Sequence, residues 1–290
     1  MSIPMDSGCM VCYLDRFTKM ARSLGDEETA TAFARELMDL MVTMDPAASS
    51  PTLGPETLAL LQKYYHVDQD LYRAEKERSN RFVLDRLDAI RTRVDRAADP
   101  VLAGLQCAIL GNYLDFSALG DQVKFEALEQ MLDKAMEMDL DAQALADFKA
   151  DLARGRKLLY LTDNAGEIGF DRVFCEALHR EFPHVEITVC VRGGICQNDA
   201  TREDAAIVGM PFPVIDNGND IAGTELPRLG SEARQAMEEA DVILSKGMGN
   251  VETLYGCGKN VYYAFLVKCA RFGRRFQKPL MTPMFLREPK

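Results

Sequence analysis

The sequence predicts an α/β protein: an all-α helical domain over residues 1–153, then a Rossmann-like, mostly parallel three-layer α/β/α sheet domain over residues 154–290. Three observations carry this expectation. Apolar residues of the first half recur at three- and four-residue spacing, as a helix face requires. From about residue 155 short β-prone runs alternate with helical segments. The acidic excess is confined to the first half, with 16 Lys+Arg against 26 Asp+Glu in residues 1–150 and 18 against 19 in residues 151–290.

Helical periodicity runs over 27–43, 55–64, 70–97, 100–113 and 121–151. Breaks fall at Asp45-Pro46, Ser49-Ser50-Pro51, Asp99-Pro100 and Gly120-Asp121, dipeptides that interrupt helices. Few β-branched residues and no internal repeat suggest a helical cap or wall, not a repeat array. Strands are expected at Lys157–Thr162, Val185–Val191, Pro213–Ile215, Asp241–Ser245 and Val261–Val267, with helices at 166–182, 201–208 and 231–239. Such alternation implies parallel strands joined by right-handed crossovers, covered by helices on both faces. Periodicity leaves the strand order open.

Composition bounds the function. The chain has 290 residues, 47% apolar and 27% charged, with a net charge of −11, and reads as an ordinary globular protein. No apolar run approaches the roughly 20 residues of a membrane span. The start, MSIPMDSGCM, lacks the basic and apolar regions of a signal peptide, so the expected location is the cytoplasm. An acidic surface argues against nucleic acid, whose phosphates need Lys and Arg. The near-neutral second half can still accept a small anion. The eight cysteines mostly sit in apolar stretches and read as reduced. Cys9 and Cys12 form half of a metal-ligand pattern with no second pair, which favours a structural reading.

Ligands of open α/β sheets bind beyond the carboxyl ends of the strands. There the sequence places Asp163-Asn164-Ala165-Gly166-Glu167, then Arg192-Gly193-Gly194 with Asn198-Asp199-Ala200-Thr201, then Lys246-Gly247-Met248-Gly249-Asn250 with Glu252, and finally Lys268. Asp163, Asn164 and Asp199 are hard oxygen donors of the kind Mg²⁺ or Mn²⁺ prefers. Gly166 and Gly247 permit tight turns where backbone amides approach an anion, and a helix starting near Gly166 would aim its N-terminus there. Lys246 and Arg192 could neutralise phosphoryl oxygens during transfer. An isolated Asp-Asn pair is most often a turn or cap. Polar motifs at four strand ends are harder to explain that way.

These motifs, together with Asp70-Leu71-Tyr72, Lys76, Ser79-Asn80 and Gly111-Asn112-Tyr113-Leu114-Asp115-Phe116, resemble those of the ARMT-like damage-control phosphatases, formerly a domain of unknown function. The Cys9-x-x-Cys12 pair is similar to the prokaryotic branch of that family. The resemblance implies a metal-dependent phosphatase acting on sugar phosphates or damaged phosphometabolites, with Mn, Co, Ni or Mg as cofactor. It gives Asp163, Asn164 and Asp199 the metal-ligand role and Lys246 the phosphate contact. Glu167, Asn198 and Asn250 lie within the matched motifs. Leu71 departs from the usual proline, and Gly194-Ile195-Cys196 replaces a segment that often contains one. Asn112 and Asp115, near a helix end, could reach the same cleft or serve as a cap and a surface carboxylate. Either water or Asp163 itself would attack in line. Two other readings stay open: S-adenosylmethionine-dependent carboxyl methyl transfer, and a module that binds phosphometabolites without turnover.

Overall fold

The structure, a computed structural model, describes residues 2–115, 130 and 135–289. Phe116, Met131 and most of 121–141 in the expected 121–151 helix lie outside them or in a 3₁₀ turn, Ala135–Glu137. The remainder of that helix is α7 (Ala142–Arg154), capped by the Asp141 carboxylate on the Ala144 amide.

Six strands form one sheet in the order β3-β2-β1-β4-β5-β6. They are β1 (Lys157–Leu161), β2 (Glu186–Val191), β3 (Val214–Asp216), β4 (Val242–Lys246), β5 (Val261–Leu266) and β6 (Pro283–Arg287). The first five are parallel, and β6 closes the edge antiparallel to β5. β4 and β5 are buried along their whole length, which explains their near-continuous apolar runs. The chain leaves β1 toward β2 on one side and returns to β4 on the other, so a crevice opens at the carboxyl ends of β1 and β4.

Alternation along the strands divides the core. Leu158, Tyr160, Val242, Leu244, Tyr262 and Ala264 face one layer of helices: α6 (Pro100–Gly111), α7 and α8 (Glu167–Glu181). Leu159, Leu161, Ile243, Tyr263 and Phe265 face α10 (Ser231–Glu239), α11 (Gly247–Leu254) and α12 (Ala270–Phe276). A short α9 (Arg202–Ile207) follows β2. The first core crosses residue 153: Leu105, Ile109 and Phe148 pack among the strand residues. A separate core, with Phe17, Phe33, Leu37 and Leu61, joins α1 (Ser7–Leu24), α2 (Glu27–Thr43) and α3 (Gly54–Tyr65).

Three local features depart from the sequence expectation. The periodic 70–97 stretch is two helices, α4 (Arg73–Leu84) and α5 (Leu87–Arg96), separated by a tightened turn in which Arg86 N donates to Val83 O. α1 was not expected at all, although Asp6 caps it through the Cys9 amide. β6 was also missed. No helix among the described residues is long and apolar enough to cross a membrane.

α6 and α8 approach unusually closely. A Cβ on Gly104 would lie 2.7 Å from a Phe174 ring carbon, and one on Gly111 would lie 2.8 Å from Phe170. This contact delivers Asn112, the residue that ends α6, to the mouth of β1.

Candidate active site

Asp163 follows β1 by two residues and sits at the crevice, 6% exposed. Its Oδ2 accepts from two amides, Asn112 Nδ2 at 2.8 Å and Asn164 Nδ2 at 2.7 Å. The same two amides donate to Glu167 Oε2, at 3.0 and 2.8 Å. Asn198 in turn donates to Asn164 Oδ1 at 2.8 Å, and Asn112 Oδ1 accepts from the Leu266 amide. A glycine is mandatory beside this carboxylate: at Gly247, with φ +78°, a Cβ would fall 2.0 Å from Asp163 Oδ2.

Asp199 is brought alongside by an isolated antiparallel bridge between it and Asn164. Arg192 holds it with a 2.6 Å Nε–Oδ2 contact and donates from Nη1 to Gly223 O and Asn250 Oδ1. Its Nη2 stands 3.7 Å from Asp163 Oδ1, buried without a hydrogen-bond partner among the described residues. Asn250 ties this corner together, accepting from Thr224 and donating to the Thr162 and Lys246 carbonyls.

The electrostatics follow from burial. Desolvation, then the Asp199 and Glu167 charges, push the Asp163 carboxyl well above its ordinary value. Burial raises Asp199 to about 6 against the opposing pull of Arg192. Crowded, desolvated carboxylates of this kind favour a bound cation. Among the described residues no three His, Cys, Asp or Glu side chains are grouped to hold a metal ion. Asp163 and Asp199 supply two carboxylates, and Asn164 adds an amide. This all-oxygen set fits a hard divalent ion and would leave positions for other oxygens.

Asp163, Asn164, Asp199 and Asp115 line a cleft of about 250 Å³ together with Lys268, Arg16 of α1 and Glu252. Lys268 Nζ lies 2.8 Å from Asp115 Oδ2. Of the other expected site residues, Asn112, Arg192, Asn198, Gly247 and Asn250 stand behind these groups as described, and three are engaged elsewhere. Lys246 Nζ is sealed from solvent, donating to Glu167 Oε1 and Asp171 Oδ1, both at 2.6 Å, and to Ala108 O at 2.8 Å. Its three protons are spent, so it has none for a phosphate. Burial works to lower its pKa, but Asp171 and Glu167 outweigh that and hold it up. Glu167 is fully buried behind the cleft, where it orients Asn112 and Asn164. The Gly166 amide donates to Asn80 Oδ1, and a Cβ there would meet Ser79 at 2.6 Å; this glycine serves the α4–α8 contact instead of an anion.

The strand-end rule did place Lys268 at this edge, since it follows β5 as Asp163 follows β1, but no motif gave it a role. Arg16 could not be assigned without α1.

A doubly wound sheet with acidic oxygens gathered at its switch point makes this an α/β protein with its ligand cleft at the strand ends. The chain belongs to the damage-control phosphatase ARMT1-like domain family, whose model matches residues 5–281. It is 30% identical to an uncharacterized protein of Methanocaldococcus jannaschii over 92% of this chain and 90% of that one. It is 29% identical to a damage-control phosphatase of Archaeoglobus fulgidus, over 92% and 93%. The crystal structure of a DUF89 family protein from Pyrococcus horikoshii matches 99% of both chains with a TM-score of 0.83 and 25% identity.

Proposed function

We propose that this protein is a divalent-metal-dependent phosphomonoesterase of small phosphorylated metabolites, sugar phosphates or damaged phosphometabolites among them. The observation that carries this reading is the convergence of Asp163, Asn164, Asp199 and the Lys268–Asp115 pair in one cleft. Asp163, Asn164 and Asp199 would hold the ion. Bound there, it supplies Lewis-acid polarisation of a phosphoryl oxygen. Lys268 has one side-chain partner among the described residues, Asp115, and so keeps protons for equatorial phosphoryl oxygens. Asn112 and Asn164 fix the Asp163 carboxylate for an in-line approach. Arg192 keeps Asp199 ionised and positioned. Lys246 and Glu167 act through the asparagines and are positioning residues in this scheme.

The test is phosphate release from p-nitrophenyl phosphate and a panel of sugar phosphates, after chelation and after adding Mn²⁺, Co²⁺, Ni²⁺ or Mg²⁺. Activity should return with metal, and Asp163→Ala should lose about 10³-fold or more. Folded protein with no turnover under any metal would sink the reading and direct attention to methyl transfer or to binding alone. Acid quenching during turnover separates the two routes: a phosphoryl group on Asp163 means attack by the carboxylate, and its absence means attack by water.

A further inference from the structure

Beside the cleft lies a second, mostly enclosed cavity of about 40 Å³. Its walls come from α1 (Phe17, Met20), α3 (Leu58, Leu61), the segment before α4 (Leu71) and the loop after β2 (Ile195). All six are apolar. Polar residues also line it, namely Arg16, Gln69, Tyr72, Gln197 and Asp220; Arg16 Nη2 donates to Tyr72 Oη and to Gln197 Oε1, each at 3.2 Å, the long limit for such bonds. Arg16 and Gln197 line both spaces, so this thin polar partition divides the cavity from the acidic cleft. Gln197 holds its place with φ +48°, a left-handed backbone that a non-glycine residue adopts at a cost.

Building on the phosphatase reading, we propose that this cavity receives the alcohol portion of the substrate. The ester would place its phosphoryl group among Asp163, Asp199 and Lys268, pass the Arg16–Gln197 partition, and seat an apolar end against Leu58, Leu61 and Ile195. Against Leu58, Leu61 and Ile195 a hydroxyl would find no partner, so the end that reaches them is apolar. The volume admits roughly three water-sized groups, hence about three or four carbons. The substrate class is therefore a phosphate monoester tipped by a short alkyl or small aryl group.

Gly54 provides the probe. It lines the cavity, its φ of −56° is ordinary helix, and a Cβ placed on it meets no atom within 4 Å. Gly54→Leu should therefore fold and fill the space, which thermal denaturation checks. Glycerol phosphate and ethyl, propyl, butyl and hexyl phosphates share similar leaving groups and differ in apolar length. For wild type, kcat/KM should rise about fourfold per buried methylene, then level off by hexyl. In Gly54→Leu the ratio of butyl to glycerol phosphate should fall toward one. A flat wild-type series, or a Gly54→Leu ratio equal to wild type, overturns the assignment while leaving the phosphatase reading intact. If wild type hydrolyses none of these esters, p-nitrophenyl phosphate with added metal decides the phosphatase reading separately. Calorimetry then decides the cavity: tighter binding of butyl than glycerol phosphate, lost in Gly54→Leu, supports it, and equal binding overturns it.

Discussion

Two lysines stand at the ends of neighbouring parallel strands and face opposite fates. Lys246 is the last residue of β4, and Lys268 lies two residues beyond β5. Each pairs with carboxylate, yet Lys246 has two carboxylates and a carbonyl around a completely sealed head group, while Lys268 has Asp115 and the open cleft. The difference lies in spare capacity. A saturated buried ammonium can only hold its surroundings in place, whereas one that lines the cleft with a single carboxylate partner among the described residues can turn to a substrate oxygen. Position in the sheet made both candidates, and hydrogen-bond accounting separates them.

The largest effect expected is at Lys246. Among the described residues, replacing it with Met leaves Glu167 and Asp171 buried without a counter-charge, and Asp171 Oδ2 already lacks a partner there. Losing one partner of a buried ionic cluster costs about 3–5 kcal/mol, a displacement easily read in urea unfolding. If Lys246→Met kept wild-type stability and lost only activity, the division between the two lysines would be wrong.

Lys268→Met should show the reverse pattern. Lys268 leaves behind one carboxylate, which lines the cleft, where Lys246 would leave two that are sealed, so unfolding should shift less than in Lys246→Met. Phosphatase kcat/KM should fall about 10²–10³-fold, the usual cost of one oxyanion-stabilising group. A Lys268→Met enzyme within tenfold of wild type would return the phosphate contact to Arg16 or to the backbone.

This contrast also marks how far the sequence could be read. The alternation of helices and strands was plain because β1, β4 and β5 are buried along all or nearly all of their length and so keep long apolar runs. The polar turns at the ends of β1, β2 and β4 led to Asp163, Arg192 and Asp199 for the same topological reason. What the motifs do not carry is the direction of a side chain. Lys246 shares parity with Val242 and Leu244, which point beneath α6 and α8, so the period of two could have sent it into the core. Glu167 and Gly166 were assigned to the cleft because their partners Lys246, Asn80 and Ser79 come from distant segments. α1 escaped notice because its cysteines drew a metal-motif reading, though Asp6 and the apolar Tyr13, Phe17 and Ala21 mark a capped amphipathic helix. The turn dividing α4 from α5 has no glycine or proline, so nothing local announces it.

The smallest effect is expected at Asp115, and its sign is informative. Its carboxylate holds Lys268 but also adds negative charge to a cleft meant for an anion. Asp115→Asn retains an acceptor for Lys268 and removes the repulsion. At about 4 Å in a water-accessible site one charge is worth about 1 kcal/mol, so inhibition by inorganic phosphate should tighten two- to fivefold. Weaker inhibition by tenfold or more, relieved at high metal concentration, would mean that Asp115 joins Asp163 and Asp199 in holding the cation. The ion pair with Lys268 would then be the arrangement of the cleft before metal enters, and Lys268 would be freed for substrate only when the ion binds.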